Sequence, residues 1–281
     1  MPPGRPVAEA RVRIAVAGAL GRMGRMILQA AGRDRQVAVV GGWERPGNAM
    51  AGQDLGAAAG LPSLGVSLGT APDLAHADVV VDFTSPEPTL ALVKAAAAMR
   101  KGPGLVIGTT GLDPKQLALI KAASKRVPIV LSSNYSVGMN LLWQALGVVA
   151  AVTGEDYDVE VIEAHHHHKK DSPSGTAITT AEVLAKALRR DLAKWARYGR
   201  AKGNTGPRGP LEIGLHAVRG GDIVGDHTVL FAGPGERLEF KHQAHSRENF
   251  AQGALRAAHW LARKGRKPGL YTMAQVLGFE R

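Results

Sequence analysis

The segment Gly18-Ala19-Leu20-Gly21-Arg22-Met23-Gly24 follows the apolar run Val12 to Ala17 and opens a stretch from Gly24 to Ala31 with helical composition. It reads as the turn between a buried first strand and the first helix. Glycines at such a turn let backbone N–H groups and the positive end of the helix dipole approach a phosphate. The spacing is G-x-x-G-x-x-G rather than the usual G-x-G-x-x-G, and a glycine-rich turn by itself serves tight packing equally well. The context favours the phosphate reading. Twenty residues beyond Gly24, directly after a second apolar run from Val37 to Trp43, stands Glu44, where an acidic side chain accepts hydrogen bonds from an adenosine ribose. Its neighbour Arg45 suits a 2′-phosphate, so the pair fits either form of a nicotinamide dinucleotide. A surface Glu-Arg pair at a strand end is the plain alternative.

Outward from this turn, from Arg11 to about Ser133, short β-branched runs alternate with longer Ala/Leu segments, the pattern of βαβ units around a parallel sheet. Val79 to Phe83, Leu105 to Ile107 and Ile129 to Leu131 complete five continuous apolar strands, as a sheet covered on both faces requires. Further helices are predicted at Glu87 to Met99 and Pro114 to Lys125, the latter with Asp113 as N-cap and proline in the first helical position. After Ser136 the rhythm changes. A helix to about Val152 and a strand from Asp158 to Ile162 precede a histidine-rich run, and a helix then continues to about Lys194. A Gly-, Pro- and base-rich loop at 199–210 leads to strands near Leu211 to Val218, Ile223 to Phe231 and Arg237 to Ala244, and then to a helix from about Glu248 to Arg263. The fold class is α/β: a Rossmann-like dinucleotide-binding domain and a second α/β (α+β) domain with an antiparallel or mixed sheet.

The 281 residues include no cysteine, which excludes disulfides, thiolate metal sites, iron–sulfur clusters and cysteine nucleophiles and leaves any redox chemistry to a cofactor. Mean hydropathy is −0.06, and the longest apolar stretch, Leu141 to Val152, is interrupted by Gln144 and falls short of the ~20 residues a membrane helix needs. No membrane partner is expected. The run from Ile14 to Leu20 enters the glycine turn without a small-residue cleavage site, so it reads as a strand and not a signal sequence. A net charge of +11 invites a nucleic acid or an anionic substrate. The densest basic segment, 186–208, sets eight basic side chains against Asp191 alone, and a second cluster is Arg263, Lys264, Arg266 and Lys267. Neither is interleaved with the aromatic platforms that single-strand binding uses, which favours solvated basic faces.

The run Glu163-Ala164-His165-His166-His167-His168-Lys169-Lys170-Asp171-Ser172-Pro173-Ser174-Gly175-Thr176-Ala177 admits three readings. An affinity tag does not fit an internal position. A metal site is weak, because adjacent histidines on an extended chain point to opposite faces and no second ligand group has matching spacing. The third is an acid and anion site: imidazole exchanges protons near neutrality, Lys169 supplies fixed charge, and Ser174-Gly175-Thr176 opens a helix whose N–H groups suit a carboxylate. Gly108-Thr109-Thr110-Gly111 and Ser133-Asn134-Tyr135 lie at carboxyl ends of predicted strands, where open α/β sheets bind ligands, although turn chemistry alone explains them too.

In these residues the chain resembles the dihydrodipicolinate reductase family, the 4-hydroxy-tetrahydrodipicolinate reductases. The 163–177 run is similar to that family's signature, and the resemblance extends through Gly21 to Gly24, Asp82-Phe83-Thr84, Gly108 to Thr110, Asn134 to Asn140, Gly221 to Gly225 with His227, and Ser246-Arg247. It implies NAD(P)H-dependent reduction of 4-hydroxy-tetrahydrodipicolinate to tetrahydrodipicolinate with loss of water, in lysine and diaminopimelate biosynthesis, by a cytoplasmic homotetramer. It further implies His165 as proton donor and Lys169 as the catalytic, substrate-binding cation. His166, Ser174, Gly175, Thr176 and Arg247 would hold the carboxylates of a small dicarboxylate substrate. NADH or NADPH would meet Gly18, Gly21, Arg22, Met23, Gly24, Glu44, Arg45, Gly108, Thr109, Thr110, Ser133 and Tyr135. No metal and no nucleic acid is implied. The dinucleotide-binding domain would span 1–134, completed by 247–281, with 135–246 as the substrate-binding and oligomerisation domain. Ser172 departs from the alanine frequent in the family, and the 199–210 loop is unusually basic. The rival reading is a dinucleotide-sensing DNA-binding regulator. It explains the charge but leaves residues 165–176 without a role, and the sequence has no helix-turn-helix.

Overall fold

Strand β1 (Val12–Ala17) is VRIAVA, and every side chain from Ile14 to Ala17 is buried. Ile14 and Val16 enter one core while Ala15 and Ala17 enter another, the two-sided burial that successive side chains of a covered parallel strand produce. The computed structural model describes residues 11–263 and 266–280. It has two units, one of Met1–Tyr135 with Phe250–Arg281 and one of Ser136–Asn249.

In the first unit β1 is followed by α1 (Arg22–Arg33), β2 (Val37–Trp43), α2 (Leu55–Ala58), β3 (Val79–Asp82), α3 (Pro86–Ala98), β4 (Gly104–Ile107), α4 (Pro114–Ala123) and β5 (Pro128–Leu131). The expected Asp113 cap of α4 is a full capping box: Asp113 Oδ1 accepts from Gln116 N at 2.8 Å, and Asp113 N donates to Gln116 Oε1 at 2.9 Å. Val80, Leu105, Ile107 and Ile129 pack with Leu92, Val93 and Ala96 of α3 and Ile120 of α4. Val79, Val81, Val106 and Val130 face the opposite core with Ile27 and Leu28 of α1. Truncating a side chain such as Ile107 to alanine costs about 2–5 kcal/mol.

The second unit begins with α5 (Val137–Thr153) and β6 (Asp158–His165) and continues through α6 (Gly175–Ala187), α7 (Leu192–Trp195), β7 (Ala196–Tyr198), β8 (Ile213–Arg219), β9 (Gly225–Gly233) and β10 (Glu236–Ala244). Its sheet order is β10-β9-β6-β8-β7, antiparallel on the β9 side of β6 and parallel on the β8 side, so it is mixed. One apolar core joins Met139, Trp143, Leu146 and Ala150 of α5 and Ala181 and Leu184 of α6 to Val159, Val161, Ile213, Leu215, Val229 and Phe231 of the sheet. The helix expected to reach Lys194 stops at Ala187. Arg189 takes a left-handed backbone with φ +54°, and Asp191 then caps α7 by accepting from Ala193 N.

The chain returns to the first unit with α8 (Glu248–Ala262), β11 (Gly269–Tyr271) and α9 (Met273–Leu277). β11 pairs in parallel with β5, giving a six-stranded order β11-β5-β4-β3-β1-β2. Three residues are too short to show a strand pattern, so β11 is not visible in the sequence. The order reverses beside β1, which makes the carboxyl ends of β1 and β3 the switch point where open α/β sheets take ligands.

The basic 199–210 loop is held by acids at the start of β6. Arg208 bonds Asp158 Oδ1 at 2.7 Å and Glu160 Oε1 at 2.9 Å, while Arg200 bonds Glu212 Oε1 at 2.6 Å. Part of the basic 186–208 segment is therefore neutralised within the chain. Lys264 of the second basic cluster lies outside the described residues. Among the described residues no helix is long and apolar enough to cross a membrane.

Candidate active site

At the switch point of the first unit Gly18 has φ +60°, and a Cβ there would lie 2.8 Å from Thr84 Cγ2. A Cβ on Gly24 would run into the carbonyl oxygens of Gly18 and Ala19, so the helix can start against the turn only without one. Gly21 is the N-cap of α1, and no side chain caps that helix, whose first N–H groups suit a diphosphate. Glu44 Oε1 accepts from Leu20 N at 2.7 Å, which sets the carboxylate beside the turn, and Arg45 is exposed next to it. Arg22 is exposed and Met23 partly buried. The bare helix end, the close glycine cradle and the acid after β2 together fit a dinucleotide.

Below the turn Asp82 is fully buried. Thr84 Oγ1 donates to its Oδ1 and Thr89 Oγ1 to its Oδ2, both at 2.6 Å, and Thr89 Oγ1 lies 2.7 Å from Thr109 Oγ1. Burial pushes the Asp82 carboxyl above the usual carboxylate range against the opposing pull of these hydroxyls. The network joins the ends of β3 and β4, and the Thr109 hydroxyl is engaged in it. Tyr135 is likewise engaged within the protein. It is 1% exposed, its hydroxyl lies 3.0 Å from Ile107 O and 2.9 Å from Val130 O, and its ring packs 5.3 Å from that of Phe83. An aromatic ring this large gains more from core burial than a polar strand-end motif suggests, so its side chain fills the core. Gly108 lies against the Phe83 ring, while Thr110 and Ser133 are exposed.

In the second unit Glu163 and His165 stand two residues apart on β6 and therefore on one face. His165 Nδ1 lies 2.5 Å from Glu163 Oε2. Arg219 ends β8 in register with His165 and grips the same carboxylate through both terminal nitrogens, each at 2.8 Å. Ser174 N donates to Glu163 Oε1 at 3.0 Å. Burial opposes ionisation of Glu163, but the hydrogen bonds from His165 and Arg219 outweigh it and hold the carboxyl at about 2. Ser174 caps α6 by accepting from Ala177 N at 3.1 Å, and its Oγ lies 3.1 Å from Nε2 of buried His227. Burial, and next the neighbouring His165, push His227 down to about 3, so it is neutral at neutral pH. A Cβ on Gly225 would lie 3.0 Å from His165 Nε2, so this glycine leaves room beside the second ring nitrogen.

The structure thus brings His165, Ser174 and the start of α6, with Gly175 and buried Thr176, into one cluster. Lys169 Nζ is 2.9 Å from Asp171 Oδ1, a partner the sequence reading did not assign. His166 is partly buried, and Arg247 lies half-buried in the connection between β10 and α8. His167 and His168 are exposed with their rings 3.9 Å apart, and among the described residues no three His, Asp or Glu side chains form a metal-holding group. Sequence reasoning gave no role to Arg219 or His227. Only strand register brings either of them to β6.

Fold and site together define a nicotinamide-dependent oxidoreductase. Two family profiles cover nearly all of the chain: "Dihydrodipicolinate reductase, N-terminus" over residues 12–135 and "Dihydrodipicolinate reductase, C-terminus" over 138–277. The chain belongs to the dihydrodipicolinate reductase family. It is 51% identical to the 4-hydroxy-tetrahydrodipicolinate reductase of Thiobacillus denitrificans over 271 residues, covering 96% of this chain and 99% of the relative. Among solved structures it is similar to the dipicolinate-bound dihydrodipicolinate reductase of Paenisporosarcina sp. TG-14, with TM-score 0.70, 22% identity and coverage of 94% and 98% of the two chains. It also resembles GenD2 of gentamicin A biosynthesis, solved in complex with NAD, with TM-score 0.62, 16% identity and coverage of 99% and 93%.

Proposed function

We propose that this chain reduces 4-hydroxy-tetrahydrodipicolinate to tetrahydrodipicolinate with loss of water, using NADH or NADPH. The observation that carries the reading is the Arg219–Glu163–His165 arrangement around a buried carboxylate beside the capped start of α6, within a chain of this family. Reduced nicotinamide supplies the hydride when bound. The chain's own groups do the rest. Ionised Glu163 accepts from His165 Nδ1, which fixes the ring and leaves Nε2, beside Gly225, to deliver a proton to the ring carbon next to the reduced one. Ser174, Gly175 and Thr176 at the start of α6 receive one substrate carboxylate on oriented donors. Lys169, His166 and Arg247 supply further donors and charge, and Lys169 exchanges its Asp171 partner for the substrate.

Gly18, Gly21, Arg22, Met23, Gly24, Gly108, Thr110 and Ser133 hold the dinucleotide in this reading. Glu44 takes the adenosine ribose and Arg45 the 2′-phosphate. Accordingly, Arg45→Ala raises KM for NADPH more than for NADH, by the loss of a charge-assisted hydrogen bond of about 1.5–3 kcal/mol. Equal effects on both nucleotides remove this assignment. A cytoplasmic homotetramer joined through the sheet of the second unit completes the proposal, supported by Tyr198, Val218 and Leu238, which are exposed on strands of that sheet. The direct test follows nicotinamide absorbance after adding the aldol product of pyruvate and aspartate semialdehyde to the purified protein. Substrate-dependent oxidation inhibited by pyridine-2,6-dicarboxylate supports the function, and none overturns it.

A further inference from the structure

The second basic cluster of the sequence has no part in the reductase chemistry, yet tertiary structure completes it. Arg263 and Arg266 meet Arg13, Arg100, Lys101 and Arg126 around one cavity of about 660 Å³ in the first unit. Four separate segments supply these cations: the start of β1, the turn from α3 to β4, the turn from α4 to β5, and the chain at the end of α8. These are the amino ends of the parallel strands, whereas the glycine turn lies at their carboxyl ends.

Among the described residues Asp78 is the one carboxylate lining the cavity, and it is already taken. Its Oδ1 lies 2.7 Å from an Arg13 terminal nitrogen, and its Oδ2 accepts from Arg13 N at 2.9 Å. Among the described residues none of the other five cations has a carboxylate within ion-pairing distance. Arg266 is held in place. Its guanidinium carbon stands 3.3 Å from the centre of the Trp260 ring, and its buried Nε has no hydrogen-bond partner among the described residues. Cations at the carboxyl ends of α3, α4 and α8 complement those helix dipoles. That requirement is met by one cation at each end, and it gives no reason for three helix-end groups to converge on a common concavity.

We propose that this cavity is a second anion site, distinct from the coenzyme turn, for a small ligand carrying a triphosphate group. A concavity of this volume is of small-ligand size, and its excess positive charge calls for an anion of several charges. Arginines supply forked donors matched to phosphate oxygens. A nucleic acid is the disfavoured occupant because the charge converges on a pocket rather than following a strip.

The test is calorimetric titration of the full chain with inorganic tripolyphosphate while NADH saturates the coenzyme site. One equivalent should bind per chain and weaken as salt is raised. Arg100→Ala combined with Arg126→Ala should lower that affinity at least about tenfold while melting temperature and NADH affinity stay unchanged, since both side chains are exposed. ATP binding with an affinity like that of tripolyphosphate identifies the triphosphate group, free or nucleoside-borne, as what is read. Unchanged affinity in the double variant, displacement of tripolyphosphate by NADH, or tighter binding of a short DNA duplex than of either small ligand overturns the proposal.

Discussion

Burial alone would make the Glu163 carboxyl keep its proton, yet His165 and Arg219 hold it ionised, so this one residue ties the orientation of the proposed acid to the stability of the fold. His165→Gln is expected to lower kcat roughly 10²–10⁴-fold. Glu163→Gln should lower it by a smaller factor, because it disturbs the tautomer and angle of the ring without removing the ring, and neither change should alter coenzyme affinity. A His165→Gln variant with near-normal kcat would remove the acid role. The same groups set the response to pH. Glu163 is depressed from its ordinary 4.5 to about 2, so its stabilisation is complete above pH 4.5 and is lost as pH falls towards 2. His227 is depressed from 6.5 to about 3: the unfolded chain takes up a proton below pH 6.5 that the folded chain refuses, so stability falls from there downward. Thermal melts should show the first loss just below pH 6.5, and His227→Gln should remove that upper part while leaving the part below 4.5. A melting temperature flat from pH 7 to about 5 would contradict the burial of a neutral His227.

Helix α1 allows the same substitution to be made with opposite results. Gly24 lies where helix and turn touch, and a Cβ there meets the Gly18 and Ala19 carbonyls, whereas Gly32 near the other end has nothing within 4 Å of an added Cβ. Gly24→Ala is therefore expected to cost about 1–3 kcal/mol through overpacking and to abolish dinucleotide binding. Gly32→Ala should stabilise the protein by roughly 0.5–1 kcal/mol through reduced backbone entropy in the unfolded chain and leave binding intact. Denaturant midpoints and NADH titrations of both variants measure this, and similar effects at the two positions would contradict the assigned close approach. Helix α6 makes a related point. Its start was legible as Ser174 before a run of helix formers, but its end at Ala187 was not, because Arg189 adopts a left-handed backbone that its residue type does not advertise.

On the scale of the molecule, the first unit is discontinuous, closed by a segment that returns after the second unit. Ala251, Ala254, Leu255, Ala257, Ala258 and Leu261 of α8, with Met273 and Val276 of α9, belong to the same core as Ile14, Val16, Ile27 and Val81. Removing residues 250–281 should leave the first unit unable to fold, with loss of NADH binding. Circular dichroism should still register the mixed-sheet unit, whose core draws on none of those residues. A truncated chain that binds NADH normally would show the return to be dispensable.

The sequence by itself determined the alternating strands and helices, the glycine turn at 18–24, the presence of a second sheet and the capped start of α6. Each of these is written in neighbouring residues, as apolar periodicity, capping chemistry or glycine spacing, and needs no knowledge of distant partners. Tertiary structure alone decided that Tyr135 fills the core, that Lys169 meets Asp171 and that Arg208 neutralises the start of β6. It also decided that Arg219, 56 residues along the chain, supports Glu163, and that His227, 53 residues along, meets Ser174. These pairings follow from strand register. A shift of one residue would turn every side chain of a strand to the other face, and register is set by the whole buried surface of a sheet rather than by any local run of residues.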